Sequence, residues 1–382
     1  MNNYYRNSII EINLDTLKNN INEVKNKCSK DKFLYAVIKG DAYGHGIKQM
    51  AQVAVESDAD GVAVATLDEA MIVRKYQKNI KILCLGIIRD EDYEVACENE
   101  ITITIANKHS AQIAATASFS KEFDIHLKVN TGMNRIGFKE INELEEIIKI
   151  LKQNKNINVE GIFTHFATAE DYDKEDYLLM QLNRFKEVVS SLSYNFKHIH
   201  CTNSASLLKI HDKIDFTTAN RVGITLYGAL EDKIQNEYDI KSAFVLKSKI
   251  AQVQVYPAGT KIGYSNRYTT SAEEEIIATI PLGYADGFAR LHTASKVKCN
   301  DQYGIIVGSV CMDQLMIRFE KPVSIGDEII LISDDKEIDV FQRCKQAQTI
   351  THEIFTRFGN RVPKAYYKHN KLIEIDNALL NK

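Results

Sequence analysis

Eight short apolar runs recur through the first part of the chain, at 33–38, 61–66, 81–86, 101–106, 124–130, 158–165, 198–203 and 221–227. Each has the length of a buried strand, is enriched in β-branched and aromatic residues, and closes in turn residues. Segments of helical period separate them. Leu14, Leu17, Ile21, Val24 and Cys28 form one apolar stripe ahead of the first run, and Ile141, Leu144, Ile147, Ile148 and Leu151 form another between the fifth and sixth. Eight strands alternating with helices over about 240 residues predict an α/β fold that opens with a (β/α)8 barrel of the TIM type. A doubly wound open sheet is the alternative, but its glycine fingerprint is missing from the sequence.

Past the barrel the texture changes. Runs at 244–256, 274–280, 303–311, 314–320 and 327–332 follow one another across short turns, and a helical pattern near 338–358 interrupts them. The division predicted is a barrel over 1–238 and a C-terminal mostly-β domain over 239–382. With no Pro/Ser-rich linker between them, the two domains are expected to share an interface.

Composition narrows the function classes. A formal net charge of −3 gives no electrostatic footprint for nucleic acid. No apolar run reaches the ~20 residues of a membrane span. Met1-Asn2-Asn3-Tyr4-Tyr5-Arg6 leads into a polar helix pattern and not a signal peptide. Seven cysteines without a CxxC pair read as reduced thiols, and the expected location is cytoplasmic. His198, His200 and Cys201 resemble metal ligands, but without a second ligand pair they read as structural, so no metal is expected.

Chemistry concentrates where a barrel puts it, at the carboxyl ends of the strands. The first run ends in Lys39, followed by Gly40-Asp41-Ala42-Tyr43. A lysine at a buried strand end is costly to keep charged, and a neutral one suits a Schiff base with an aldehyde cofactor. The fifth run carries Lys128 into a loop with Arg135, the sixth ends near His165, the seventh in Asn203 and Ser204, and the eighth holds Arg221, Gly223 and Ile224. Ser204 and the backbone N–H groups of Gly223 and Ile224 lie where barrels commonly bind phosphate. Singly, each residue has a bland reading: a surface ion pair for an arginine, a satisfied core position for the histidine. Together at one barrel end they point to a single mouth.

These stretches resemble the alanine racemase family of fold-type III pyridoxal phosphate (PLP) enzymes. The resemblance rests on AVIKGDAYGHG (36–46), HLKVNTGMNRIGF (126–138), GIFTHFATAE (161–170), CTNSAS (201–206), RVGITLYG (221–228), the Tyr264–Tyr268 loop, IPLGYADGFAR (280–290), GSVCMDQ (308–314) and RVPKAYY (361–367), in family order along the chain. It implies that Lys39 holds PLP and acts as one catalytic base, and that Tyr268 of a second copy in a homodimer is the other. Inversion of a stereocentre requires two bases on opposite faces. It further implies that Arg221 meets the pyridine nitrogen, that Arg135 meets the phenolic oxygen, and that Lys128 is carbamylated. His165 would link Arg221 to Tyr268. Tyr43, Asn203, Ser204, Gly223, Ile224 and His352 would complete the cofactor site. Arg135, Tyr284, Met312 and Asp313 would receive the substrate.

One departure from the family pattern bears on specificity. His352 stands where the family usually carries a phosphate-binding tyrosine. A shorter, polar imidazole is expected either to replace the phenol in the phosphate network or to admit a hydroxymethyl side chain, which makes serine or dual alanine/serine racemisation the alternative to alanine. Two rival readings are weaker. A PLP-dependent decarboxylase calls for an acidic partner at the pyridine nitrogen, where this chain has Arg221. A non-catalytic PLP-binding protein would lack the second domain.

Overall fold

The structure is a computed structural model that describes residues 4–28, 30–230 and 237–380. Strand β1 (Ile9–Asn13) comes first, and the eight barrel strands follow. They are β2 (Phe33–Val37), β3 (Gly61–Val64), β4 (Lys81–Cys84), β5 (Ile101–Ile105), β6 (Phe123–Lys128), β7 (Ile157–Phe163), β8 (His198–His200) and β9 (Ala219–Val222). Seven coincide with the apolar runs, whereas the run read as a strand over 221–227 is mostly a 3-10 turn at Ile224–Tyr227, and β9 precedes it, overlapping only at Arg221 and Val222. Consecutive strands from β2 to β8 pair in parallel, and β9 pairs back to β2. The β8/β9 seam carries no ladder, but the Thr218 N–H donates to Ile199 O across it at 3.0 Å. In β3 and β5 every residue is buried, as expected of parallel strands covered on both faces.

The helix Leu14–Cys28 sends Leu17, Ile21 and Val24 into the core at zero exposure, and Ile141–Leu151 does the same with Leu144, Ile147 and Leu151. Both stripes are therefore the inward faces of barrel helices.

The second domain is built on a ten-stranded sheet containing β10 (Phe244–Lys249), β11 (Gln252–Pro257), β14 (Glu274–Ile280), β15 (Lys296–Cys299), β16 (Gln302–Val307), β17 (Leu315–Phe319), β18 (Glu328–Ile332), β19 (Lys364–Lys368) and β20 (Lys371–Asp376). A separate hairpin pairs β12 (Lys261–Ile262) with β13 (Tyr268–Thr269). The run read as one strand over 244–256 is two, turned at Ile250-Ala251. The helical pattern near 338–358 resolves into Val340–Ala347 and Thr351–Thr356.

The tenth strand of that sheet is β1. It lies between β10, antiparallel, and β19, parallel. The sequence reading counted this segment with the barrel and gave it a polar helix pattern; Met1–Asn3 lie outside the described residues. The alternation of buried Ile10 and Ile12 with half-buried Ile9, Glu11 and Asn13 is a strand of period two. Five residues are too few to distinguish that period from a helix turn without the partner strands. The chain thus enters the second sheet, builds the barrel and returns, which binds the domains through one continuous apolar core.

Candidate active site

The turn after β2 sets the site. The strand ends at Val37, two residues short of Lys39, because the backbone then enters a left-handed helical turn with φ of 65° at Gly40, 52° at Asp41, 53° at Ala42, 52° at Tyr43 and 79° at Gly44. Left-handed backbone costs a non-glycine residue roughly 1–2 kcal/mol, so three in a row need external restraint. Asp41 provides it: its carboxylate accepts the Ile47 N–H at 2.8 Å and pairs with Lys364 Nζ from β19 at 2.5 Å. Glu69 accepts the Gly40 N–H at 2.6 Å. At Gly44 a side chain has no room, since a Cβ would stand 2.3 Å from Phe355 O.

This turn projects Lys39 and Tyr43 into a cavity of about 140 Å³. Lys128, Arg135, His165, Asn203, Ser204, Arg221, Gly223, Ile224 and His352 line the same cavity, with Leu85, Phe163, Glu170 and Thr202 among the residues that the sequence did not single out. Each reaches it from the carboxyl end of a barrel strand, except His352, which arrives on the helix Thr351–Thr356 of the second domain. The loop bearing Arg135 is turned by Asn130, whose Oδ1 accepts the N–H groups of Gly132 and Asn134 at 3.2 and 2.9 Å.

Among the described residues the electrostatics are one-sided: Lys39, Lys128, Arg135 and Arg221 share the cavity with a single carboxylate, Glu170. Burial, then Arg135 and Arg221, lower the pKa of Lys39. Burial and the same two arginines push Lys128 down to about 7, and its Nζ donates to Val129 O at 2.6 Å. His165 is held well below the usual imidazole range by burial and then by Arg221, Lys128, Lys39 and Arg135. Burial keeps the Tyr43 phenol protonated.

Anion-binding groups gather at one end. Ser204 Oγ accepts the Gly223 N–H at 3.0 Å, and a Cβ on Gly223 would come within 2.5 Å of Tyr43 Oη. Asn203 caps the helix Ser204–Ile210, its Oδ1 accepting the Ser206 N–H at 2.9 Å, so its side-chain oxygen is already engaged. His352 packs its ring 5.5 Å from that of Tyr43, and its Nδ1 is buried without a protein partner. Cationic side chains, a glycine cradle and an orphaned imidazole nitrogen form a donor set that fits a phosphorylated, carboxylate-binding cofactor site.

Tyr268, Tyr284, Met312 and Asp313 do not line this cavity. Tyr268 Oη donates to Glu275 Oε2 at 2.5 Å, with Arg318 Nη1 at 3.5 Å. The Tyr284 N–H donates to Cys311 O and the Ala285 N–H to Met312 O, both at 3.0 Å, while Arg361 pairs with Asp313 at 2.7 Å. Tyr284 and Met312 are 42% and 53% exposed on this chain, so their two loops stand open to solvent.

The family models "Alanine racemase, N-terminal domain" and "Alanine racemase, C-terminal domain" match residues 12–231 and 243–366. The chain belongs to the alanine racemase family. It is 35% identical to alanine racemase of Geobacillus stearothermophilus over 99% of this chain and 98% of that one. Alanine racemase 1 of Bacillus subtilis is 34% identical over 99% and 97%. Among solved structures, alanine racemase from Bacillus anthracis with bound L-Ala-P superposes with a TM-score of 0.91 at 33% identity, covering 98% of this chain and 99% of that one. Alanine racemase from Clostridium difficile 630 gives 0.92 at 35%, covering 99% and 100%. The chain is a PLP-dependent isomerase that racemises alanine. Among the described residues no helix is long and apolar enough to cross a membrane.

Proposed function

We propose that racemisation runs between two bases, Lys39 of one copy and Tyr268 of a second, in a homodimer whose sites neither copy completes alone. The observation that carries this reading is the division of groups on one chain: the cofactor cavity gathers Lys39 but not Tyr268. PLP, when bound, supplies the electron sink that makes an α-proton removable. Lys39 Nζ, its pKa lowered, exchanges a proton on one face of the substrate Cα. Tyr268 Oη exchanges one on the other.

Tyr43, Ser204, Gly223, Ile224 and His352 hold the phosphate, and Asn203 shapes that end through its helix cap. Arg221 would donate to the ring nitrogen, and because a guanidinium only donates, that nitrogen would stay unprotonated. Arg135 meets the phenolic oxygen. Lys128, held to about 7, is an uncharged amine for part of the time. It adds to CO2 and loses a proton, giving a carbamate that pairs with Arg135. His165 stays neutral and bridges Arg221 towards Tyr268. Tyr284, Met312 and Asp313 of the second copy close the mouth on the substrate carboxylate. The enzyme works in the cytoplasm, without nucleic acid or membrane partners.

The test is complementation. Lys39→Ala and Tyr268→Phe are each prepared, then mixed and allowed to exchange subunits. Random reassortment gives hybrids with one intact site, so activity recovers to about a quarter of the wild-type rate. Two inactive variants that stay inactive after verified exchange would refute the shared site.

A further inference from the structure

Arg221 is 3% exposed and makes no ion pair with a carboxylate among the described residues. Its Nη2 donates to Thr164 O at 2.8 Å and its Nη1 to His200 Nδ1 at 2.5 Å. A guanidinium only donates, so His200 Nδ1 must accept and the His200 proton sits on Nε2. That nitrogen lies 2.9 Å from His126 Nδ1, which must in turn accept. The His126 proton is then on Nε2, 3.3 Å from Glu160 Oε2. Every donor in the line points the same way, from Arg221 towards Glu160.

We propose that Glu160, His126 and His200 form a buried hydrogen-bond relay through the barrel core that orients Arg221 towards the cofactor. They are positioning residues for the racemase; none of the three lines the cavity. The proposal rests on the reading that Arg221 meets the cofactor ring.

The barrel is built around this line. Register slips between β6 and β7 so that Ile125 pairs with Val159 and His126 with Gly161. Glu160 is the extra residue of that bulge, a device that re-aims a side chain. Its carboxylate is 2% exposed and faces Lys81 at 2.6 Å, Lys197 at 3.1 Å and His198 at 3.5 Å besides His126, which keeps it an anion. Gly161 makes room for the imidazole, since a Cβ there would stand 2.6 Å from His126 Nε2. His200 stacks on Phe163 with centroids 4.9 Å apart and planes 3° from parallel, and Tyr35 of β2 packs 5.6 Å from it. The other charged or titratable groups acting on His200 are Arg221, His126, His198 and Lys128, and burial with Arg221 holds it well below the usual imidazole range. Burial likewise pushes His126 down to about 4.

The experiment uses PLP-loaded protein carrying 15N-histidine. Imidazole NMR is expected to find His200 and His126 both as neutral Nε2–H tautomers that do not titrate between about pH 5.5 and 9. His200→Phe, which removes the acceptor and keeps the ring, is expected to shift the absorption of the bound cofactor and weaken PLP binding about tenfold, the lower range for losing a partner that orients a ligand-binding group. His200→Gln can accept from Arg221 and donate to His126, and is expected to restore both readouts to within about twofold. If His200→Phe fails to fold, His126→Phe is read instead. It leaves His200 Nε2–H without its acceptor and is expected to shift the cofactor spectrum, and a folded His126→Phe with wild-type spectrum and PLP affinity overturns the relay. The relay is also overturned by His200 protonated on Nδ1, or by a folded His200→Phe with wild-type spectrum and PLP affinity. Arg221→Gln separates the two readings. Should that variant leave the cofactor spectrum unmoved, it is the contact of Arg221 with the ring that fails.

Discussion

At the scale of single residues the site works by surplus. Four cations against one carboxylate destabilise each other's charged forms, and the two amines yield because guanidinium groups do not. Lys39→Ala is accordingly expected to abolish racemisation and the lysine-bound cofactor absorption together, read by chiral chromatography and by spectrophotometry. His352 is the residue on which specificity turns. It is half-buried, lowered in pKa by burial and by Lys39, and therefore neutral near pH 7. Its free Nδ1 can serve the phosphate or a substrate hydroxyl. His352→Tyr is expected to lower the serine-to-alanine ratio of racemisation by about tenfold, the range for one hydroxyl-sized difference in a pocket, and an unchanged ratio would leave the phosphate as its only role.

Elements place these residues through two irregularities. The left-handed turn after β2 stays formed because Asp41 ties it to the helix Ile47–Glu56 and to β19. Asp41→Ala removes both bonds and leaves Lys364, 7% exposed, without its partner. The expected loss is about 2–4 kcal/mol in urea unfolding, with a matching fall in PLP affinity. The bulge in β7 is the second irregularity. Gly161→Ala must displace His126 and is expected to cost about 1–3 kcal/mol, whereas an alanine at Gly359, where nothing lies within 4 Å, meets no such clash. Neither irregularity was legible in the sequence. A run of apolar residues announces a strand, but a bulge depends on the register of its neighbour, and the pinning of Asp41 depends on a lysine 323 residues away.

The whole molecule couples the two domains, and its acid stability follows from what their shared core buries. His45 lies between Tyr227, Phe244 and Phe355, fully buried, and is pushed down to about 4; His292 is pushed down to about 3 by burial and two arginines. Both are neutral when folded and bind a proton once unfolded. Stability is therefore full above the unfolded histidine pKa of about 6.5 and is lost as pH falls towards the folded values. The urea midpoint is expected to decline steadily from pH 7 to pH 4, and a flat midpoint over that window would contradict the burial of these imidazoles.

What the sequence determined by itself was local. Period and length identified seven of the eight barrel strands, because a strand buried on both faces must be apolar throughout. The chemistry at their carboxyl ends was readable because a barrel brings every such end to one mouth. The tertiary structure decided the rest. It drew β1 out of the barrel into the distant sheet, brought His352 of the second domain beside Tyr43, and left Tyr268 outside the cavity. It also turned His200 from a residue resembling a metal ligand into the acceptor for Arg221. Each of these depends on which surfaces meet across hundreds of residues, and no periodicity within one segment encodes that meeting.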